Sequence, residues 1–201
     1  MNKLISFWKK PTETFELIFS KDINWFKTIL FFSCNGIIVM YYIMRSQEMI
    51  NIESFKMTIL TIFFLLLTGM IYGLFTNFIV GFLIKLTGKL FNGTNDLKKI
   101  YKALSWSYYP LIISVYLIIV NILISRIILM TEIDTSVLLI LSFVVIIFSI
   151  FQGILAIWQL MLLIRGLKIA QGLSTSNTIL NYLSGALIFG LSYFLLTYDF
   201  L

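Results

Sequence analysis

The chain of 201 residues holds few groups able to do chemistry: no His, one Cys and nine Asp or Glu. Without His there is no His-based triad, and most zinc and haem sites are lost. A single Cys forms no disulfide framework and no iron–sulfur cluster. Cys34 sits in the apolar stretch FFSCNG, the setting of a structural thiol. No Asp, Glu or Lys falls centrally in a long uncharged run, and Arg126 lies near the end of its run, where it can snorkel. Proton-coupled carriers use intramembrane carboxylates and voltage sensors use several Arg, so the sequence argues against both. What remains is amide and hydroxyl chemistry at Asn35, Asn77, Asn121, Gln152 and Gln159, with Ser114, Ser142 and Ser149 nearby. Gln152 and Gln159 are seven apart and share one helix face, with Ser149 one turn away. Such a face either bonds between helices, at about 0.6 kcal/mol per bond, or lines a polar path. Asn77, Gln152 and Gln159 are the candidate intramembrane polar face. A serine site at Ser149 and Gln152 would lack any base. The expectation is therefore a protein without catalytic residues, cofactor or metal.

These groups are carried by a very apolar chain. It is 60% hydrophobic and 12% charged, with mean hydropathy +0.99, against about 45–50% and about 25% in soluble domains. Such a chain cannot cover a water-facing surface, and it is equally unsuited to disorder. Charged residues bound five uncharged runs: 17 residues between Lys27 and Arg45, 28 between Lys56 and Lys85, 23 between Lys102 and Arg126, and 30 each between Asp134 and Arg165 and between Lys168 and Asp199. A helix crosses the hydrocarbon in about 20 residues, so each run accommodates one span. The first run is short, and Trp25 and Phe26 extend it at the interface. The expected spans are 26–44, 58–82, 109–130, 138–163 and 178–198. Stretches such as Ile59–Leu67 and Leu138–Ile150 are continuously apolar, which favours helices over the alternating strands of an outer-membrane barrel. The fold class is thus all-α, a polytopic five-helix membrane bundle with short interfacial helices. It comprises a cytoplasmic segment 1–25 and a membrane domain 26–201 with a basic cytoplasmic loop 83–108.

Loop charge sets the expected orientation. Twelve of the 15 Lys and Arg lie in or beside the N-terminal segment, the 83–108 loop and the 164–177 loop, whereas only Arg45, Lys56 and Arg126 lie on the other side. This predicts a cytoplasmic N-terminus and an extracytoplasmic C-terminus. The net charge of +6 is then an orientation signal; a nucleic-acid partner would require a solvated basic domain. The first 25 residues lack the apolar core of a signal peptide, so the first span is expected to act as the insertion signal.

Two cytoplasmic segments read as short helices. In FWKKPTETFELIFSKD (7–22), Pro11 suits a first turn, Glu13 and Glu16 favour the dipole, and Phe15, Ile18 and Phe19 share a face. This predicts an interfacial helix anchored by Phe7 and Trp8, serving as a topology anchor or a docking helix. In TNDLKKIYKALSWS (94–107), Thr94, Asn95 or Asp96 can cap, and Leu97, Ile100, Tyr101 and Leu104 form a stripe flanked by Lys98, Lys99 and Lys102. Such a basic helix attracts anionic lipid at about 1 kcal/mol per cation, or offers a partner surface. Pro110 follows and bends the start of the third span. Gly69 and Gly73 in GMIYG form a small-xxx-small pair suited to close helix packing, within the chain or between copies in a homo-oligomer.

Three patches taken in order resemble the Yip1 domain family of five-span membrane proteins. WKKPTETFELIF is similar to the family's Pro-x-x-x-Phe segment, through Pro11 and Phe15. GKLFNGTNDLKKIYKALSWSYYPLI is similar to its glycine-containing loop leading to a Tyr-Pro pair, through Gly88, Gly93, Lys98, Tyr109 and Pro110. WQLMLLIRGLKIAQGLSTSNTI is similar to the end of span four and its loop, through Trp158, Gly166, Gly172 and Ser174. The compact form looks like the bacterial branch, some of whose members accompany ABC exporters in resistance to antimicrobial peptides. Eukaryotic members, which bind prenylated Rab-type GTPases and shape vesicle membranes, carry a long cytosolic N-terminus with an Asp-Leu-Tyr-Gly-Pro-like motif, and this chain shows neither of these two sequence features. The resemblance implies a non-enzymatic multi-pass protein of the cell membrane that docks a membrane-protein partner through Pro11, Phe15, Lys98, Lys99, Lys102, Tyr109 and Pro110. The alternatives are a small-solute or ion conduit lined by span amides, and a trafficking factor of the eukaryotic type.

Overall fold

A computed structural model describes residues 7–47, 49–50, 54–130 and 134–198, with side chains over 7–47, 49–50, 54–128 and 134–192. Residues 1–6 and 199–201 of the two expected end segments lie outside the described residues. Among those described, every regular element is helical: α1 Pro11–Phe19, α2 Trp25–Ser46, α3 Phe55–Gly88, a 3₁₀ turn Lys89–Phe91, α4 Leu97–Ser107, α5 Leu111–Met130, α6 Thr135–Gln171 and α7 Thr175–Tyr198.

Four of these are long and apolar enough to cross a membrane among the described residues: Trp25–Ser46, Phe55–Phe91, Leu111–Ile128 and Thr135–Gln171. The fifth expected span, 178–198, falls on α7, whose last side chains lie outside the described residues. The outer apolar surface requires lipid. Over residues 135–151 of α6 no side chain is buried, and Leu139, Ile140, Phe143 and Ile150 are more than 60% exposed. In water such a surface would drive aggregation, whereas in hydrocarbon it is solvated. The chain is a multi-pass α-helical membrane protein.

The helices outrun the expected spans. The stretch Phe55–Phe91 and α6 each contain 37 residues, about 55 Å of helix against about 30 Å of hydrocarbon. An absence of charge marks where the hydrocarbon lies, not where a helix ends, so Lys85, Arg165 and Lys168 lie inside helices and the loops at 83–108 and 164–177 shrink. The actual stops are backbone features. Gly172 adopts φ +68° directly after α6, and its N–H bonds Lys168 O at 2.9 Å. Asn92, at φ 61°, closes the 3₁₀ turn.

The chain divides into two compact units, through which α2, α3 and α6 run continuously. The first comprises 1–30, 75–108 and 160–201, and the second 31–74 and 109–159. In the second, α2, α3 and α5 enclose Ile37, Tyr41, Met44, Leu65, Ile118 and Ile122. Gly36 of α2 lies against Gly69 and Gly73 of α3 so closely that a Cβ at Gly36 would meet Gly69 O and the Gly73 backbone. The small-xxx-small pair therefore packs within the chain. Arg126 donates to Thr58 Oγ1 at 3.1 Å and lies 5.6 Å from the Phe55 ring.

Candidate functional site

The first unit gathers five of the seven candidate interaction residues: Pro11, Phe15, Lys98, Lys99 and Lys102. Pro11 begins α1, and Glu13 in its first turn pairs with Lys10 at 2.9 Å on the surface. Phe15 is fully buried, with its ring in edge contact with Phe7 at 5.3 Å and stacked on Phe19 at 5.8 Å. Gly166 of α6 makes room for it, because a Cβ there would meet the Phe15 ring at 2.8 Å. Phe7 is 1% exposed and packs 5.9 Å from Trp106, whereas Trp8 is 64% exposed. Phe7 is thus a core residue, and only Trp8 faces outward as an interfacial anchor would. The apolar face of α1 finds protein, because burial of a Phe side chain stabilises by about 1.5–3 kcal/mol where a complementary wall exists.

That wall is α4. Asp96 caps it, accepting from Lys99 N–H at 3.2 Å. Every residue from Ile100 to Ser107 is buried, well beyond the expected stripe. Tyr101 donates to Phe78 O at 3.1 Å and packs its ring edge-on to Phe78 at 5.1 Å, above Gly81. Of the three flanking lysines, Lys98 and Lys99 are exposed, whereas Lys102 is 7% exposed. Its ammonium donates to Ile18 O at 3.4 Å, to Phe19 O at 3.5 Å and to Lys21 O. Ile18 and Phe19 belong to the last turn of α1 and Lys21 follows it, and Ile18 O also accepts from Lys21 N–H at 3.3 Å, so Lys102 adds a charged donor to the C-terminal end of α1 from another helix. Burial pushes its amine below the ordinary lysine value, with the Asp22 charge opposing. Lys102 is therefore committed inside the fold rather than held out towards lipid.

A polar knot that sequence reasoning missed joins α3, α6 and α7. Thr87 Oγ1 donates to Asn181 Oδ1 at 2.5 Å, Asn181 Nδ2 to Gln171 Oε1 at 2.6 Å, and Gln171 Nε2 to Ile84 O at 3.3 Å. All three side chains are at most 5% exposed. The segment after the 3₁₀ turn is tied in through Thr94, whose N–H reaches Gln171 O at 2.9 Å and whose hydroxyl reaches Ala170 O at 2.8 Å. A Cβ on Gly88 would meet Gln171 Nε2, and one on Gly93 would touch Leu173. The available signal was the pair of amides near the start of an uncharged run, Gln171 and Asn181 in QGLSTSNTILN.

The remaining candidates lie elsewhere. Tyr109 belongs to the second unit, its ring 5.8 Å from Phe31, and Pro110 is buried in the turn before α5. Asn77, in the first unit, accepts from Tyr108 at 2.8 Å. Gln152 and Gln159 belong to the second, where Gln152 Oε1 accepts from Tyr42 at 3.2 Å. Among the described residues no three His, Cys, Asp or Glu lie close enough to share a metal.

A family model described as the Yip1 domain matches residues 5–197. No curated protein and no solved structure matches the chain.

Proposed function

The chain belongs to the Yip1 domain family, and from that premise we propose that it is a non-enzymatic interaction or accessory factor of the cell membrane. It works by holding a packed N-terminal helix and a basic surface ready for a membrane-protein partner. One observation carries this reading: the family-like residues Phe15, Gly88, Gly93 and Gly166 are spent on close packing around α1, α4 and the polar knot. Lys98 and Lys99 stay exposed beside that scaffold and supply a basic docking patch. Five crossings, with the N-terminus in the cytoplasm, agree with twelve of the 15 cations lying on that side. A partner of the ABC-exporter class fits a membrane protein without transport chemistry of its own.

The test is affinity capture of the full chain in mild detergent from cells grown under several conditions, followed by comparison with Lys98→Glu/Lys99→Glu. A membrane-protein partner should be recovered with the wild type and depleted with the variant. Recovery of none, under any condition, removes the reading.

A further inference from the structure

The first unit contains an open cleft of about 430 Å³ beside α1. Its apolar wall is formed by Phe7, Leu17, Ile18 and Trp106, and four lysines line it: Lys10, Lys21, Lys27 and Lys102. Two carboxylates are also present, Glu13 and Asp22, and Glu13 is already held by Lys10 at 2.9 Å. With Lys10 held by Glu13 and Lys102 spent on the carbonyls at the end of α1, Lys21 and Lys27 face the single carboxylate of Asp22, so a net positive charge remains in the cleft. Lys27 Nζ lies 5.8 Å from the centroid of the Trp106 ring, which orders a cation against the apolar wall.

The level of the cleft along the chain is equally informative. Asn24 lines it and starts α2, accepting from Lys27 N–H at 3.0 Å. The adjacent Trp25 and Phe26 are 45% and 76% exposed at the head of a membrane-spanning helix. Exposed aromatics at such a position mark the headgroup level of the bilayer. The cleft therefore opens where lipid headgroups are, with cations for a phosphate and an apolar wall for the first carbons of a chain.

We propose that this cleft binds the headgroup of an anionic phospholipid from the surrounding leaflet. A free phosphate would satisfy the lysines and leave the apolar wall wet. A zwitterionic lipid would cover the wall and leave the net positive charge uncompensated. An anionic phospholipid meets both demands, and its occupancy ties α1 to the bilayer at a defined point.

The experiment uses the full chain in neutral detergent, titrated with dioleoyl phosphatidylglycerol, dioleoyl phosphatidylcholine or glycerol 3-phosphate while thermal unfolding is followed. Phosphatidylglycerol should raise the melting temperature saturably, and the other two should not. Lys10→Gln/Lys21→Gln, which changes two exposed residues, should weaken the apparent affinity by about tenfold. Lys98→Gln/Lys99→Gln removes the same charge outside the cleft and should stay within about twofold. The melting temperatures without lipid report whether each variant is folded. Equal losses in the two double variants would mean diffuse attraction and overturn the site. An equal response to phosphatidylcholine would overturn the charge requirement, and one to glycerol 3-phosphate would overturn the lipid assignment.

Discussion

Asn181 Nδ2 donates to Gln171 Oε1 across 2.6 Å, fastening the start of α7 to the end of α6. Asn181 is fully buried and its Oδ1 is also used, by Thr87. The loop between the two helices is only 172–174, so this bond fixes the angle at which the chain turns back.

Asn181→Leu strands a buried acceptor on Gln171, whereas the Thr87 hydroxyl keeps Leu83 O at 2.9 Å as an acceptor. A stranded buried group costs about 1–3 kcal/mol. The single variant should melt well below the wild type in detergent. Gln171→Leu/Asn181→Leu removes both partners together, so its loss should be smaller than the sum of the two single losses. Strict additivity would show that the two amides do not act as a pair.

The glycines of α2 and α3 make a second prediction. Gly36→Ala places a methyl group against the backbone of Gly69 and Gly73, with no flexible side chain there to yield. Overpacking of this kind costs about 1–3 kcal/mol. Gly190 of α7 has nothing within 4 Å of its Cβ position, so Gly190→Ala should be neutral or stabilising by up to about 1 kcal/mol, through helix propensity alone. Unfolding in a detergent titration orders the two, and a reversed order would exclude the tight α2–α3 approach.

The contrast between these glycines shows what the sequence could and could not reveal. GMIYG on α3 was visible as a motif, but its partner Gly36 was one small residue among many, because contact between distant segments leaves no local spacing. Span positions were legible since charge is excluded from hydrocarbon, and the α4 stripe was legible from its period. Helix ends were not, because Phe55–Phe91 and α6 continue past the hydrocarbon until the positive φ of Asn92 and of Gly172 stops them. Lys102 reads in sequence like Lys98 and Lys99. Only the fold reveals that the end of α1 covers Lys102, while Lys98, one turn earlier on the same face, and Lys99 stay outside.

Lys102 supplies the last prediction. Its ammonium holds the carbonyls of Ile18, Phe19 and Lys21, so Lys102→Met should remove the charged donor at the end of α1 and leave Ile18 O with Lys21 N–H alone. The expected loss is about 1–2 kcal/mol, with faster proteolysis between α1 and α2. The pH dependence has a definite sign. Burial lowers the folded pKa below the ordinary 10.5, against the raising effect of Asp22 and Asp96 and with Lys98 and Lys99 adding to the lowering. Between the lowered value and 10.5 the unfolded chain binds more protons at this site than the folded chain, so stability rises with pH across that window. Below the window the lysine is charged in both states and its contribution is constant at its minimum. Because all other titrations are shared, the difference in melting temperature between wild type and Lys102→Met isolates this group. That difference should grow in favour of the wild type as the alkaline window is crossed. A difference that shrinks there would mean that the three carbonyls outweigh desolvation and hold the amine charged.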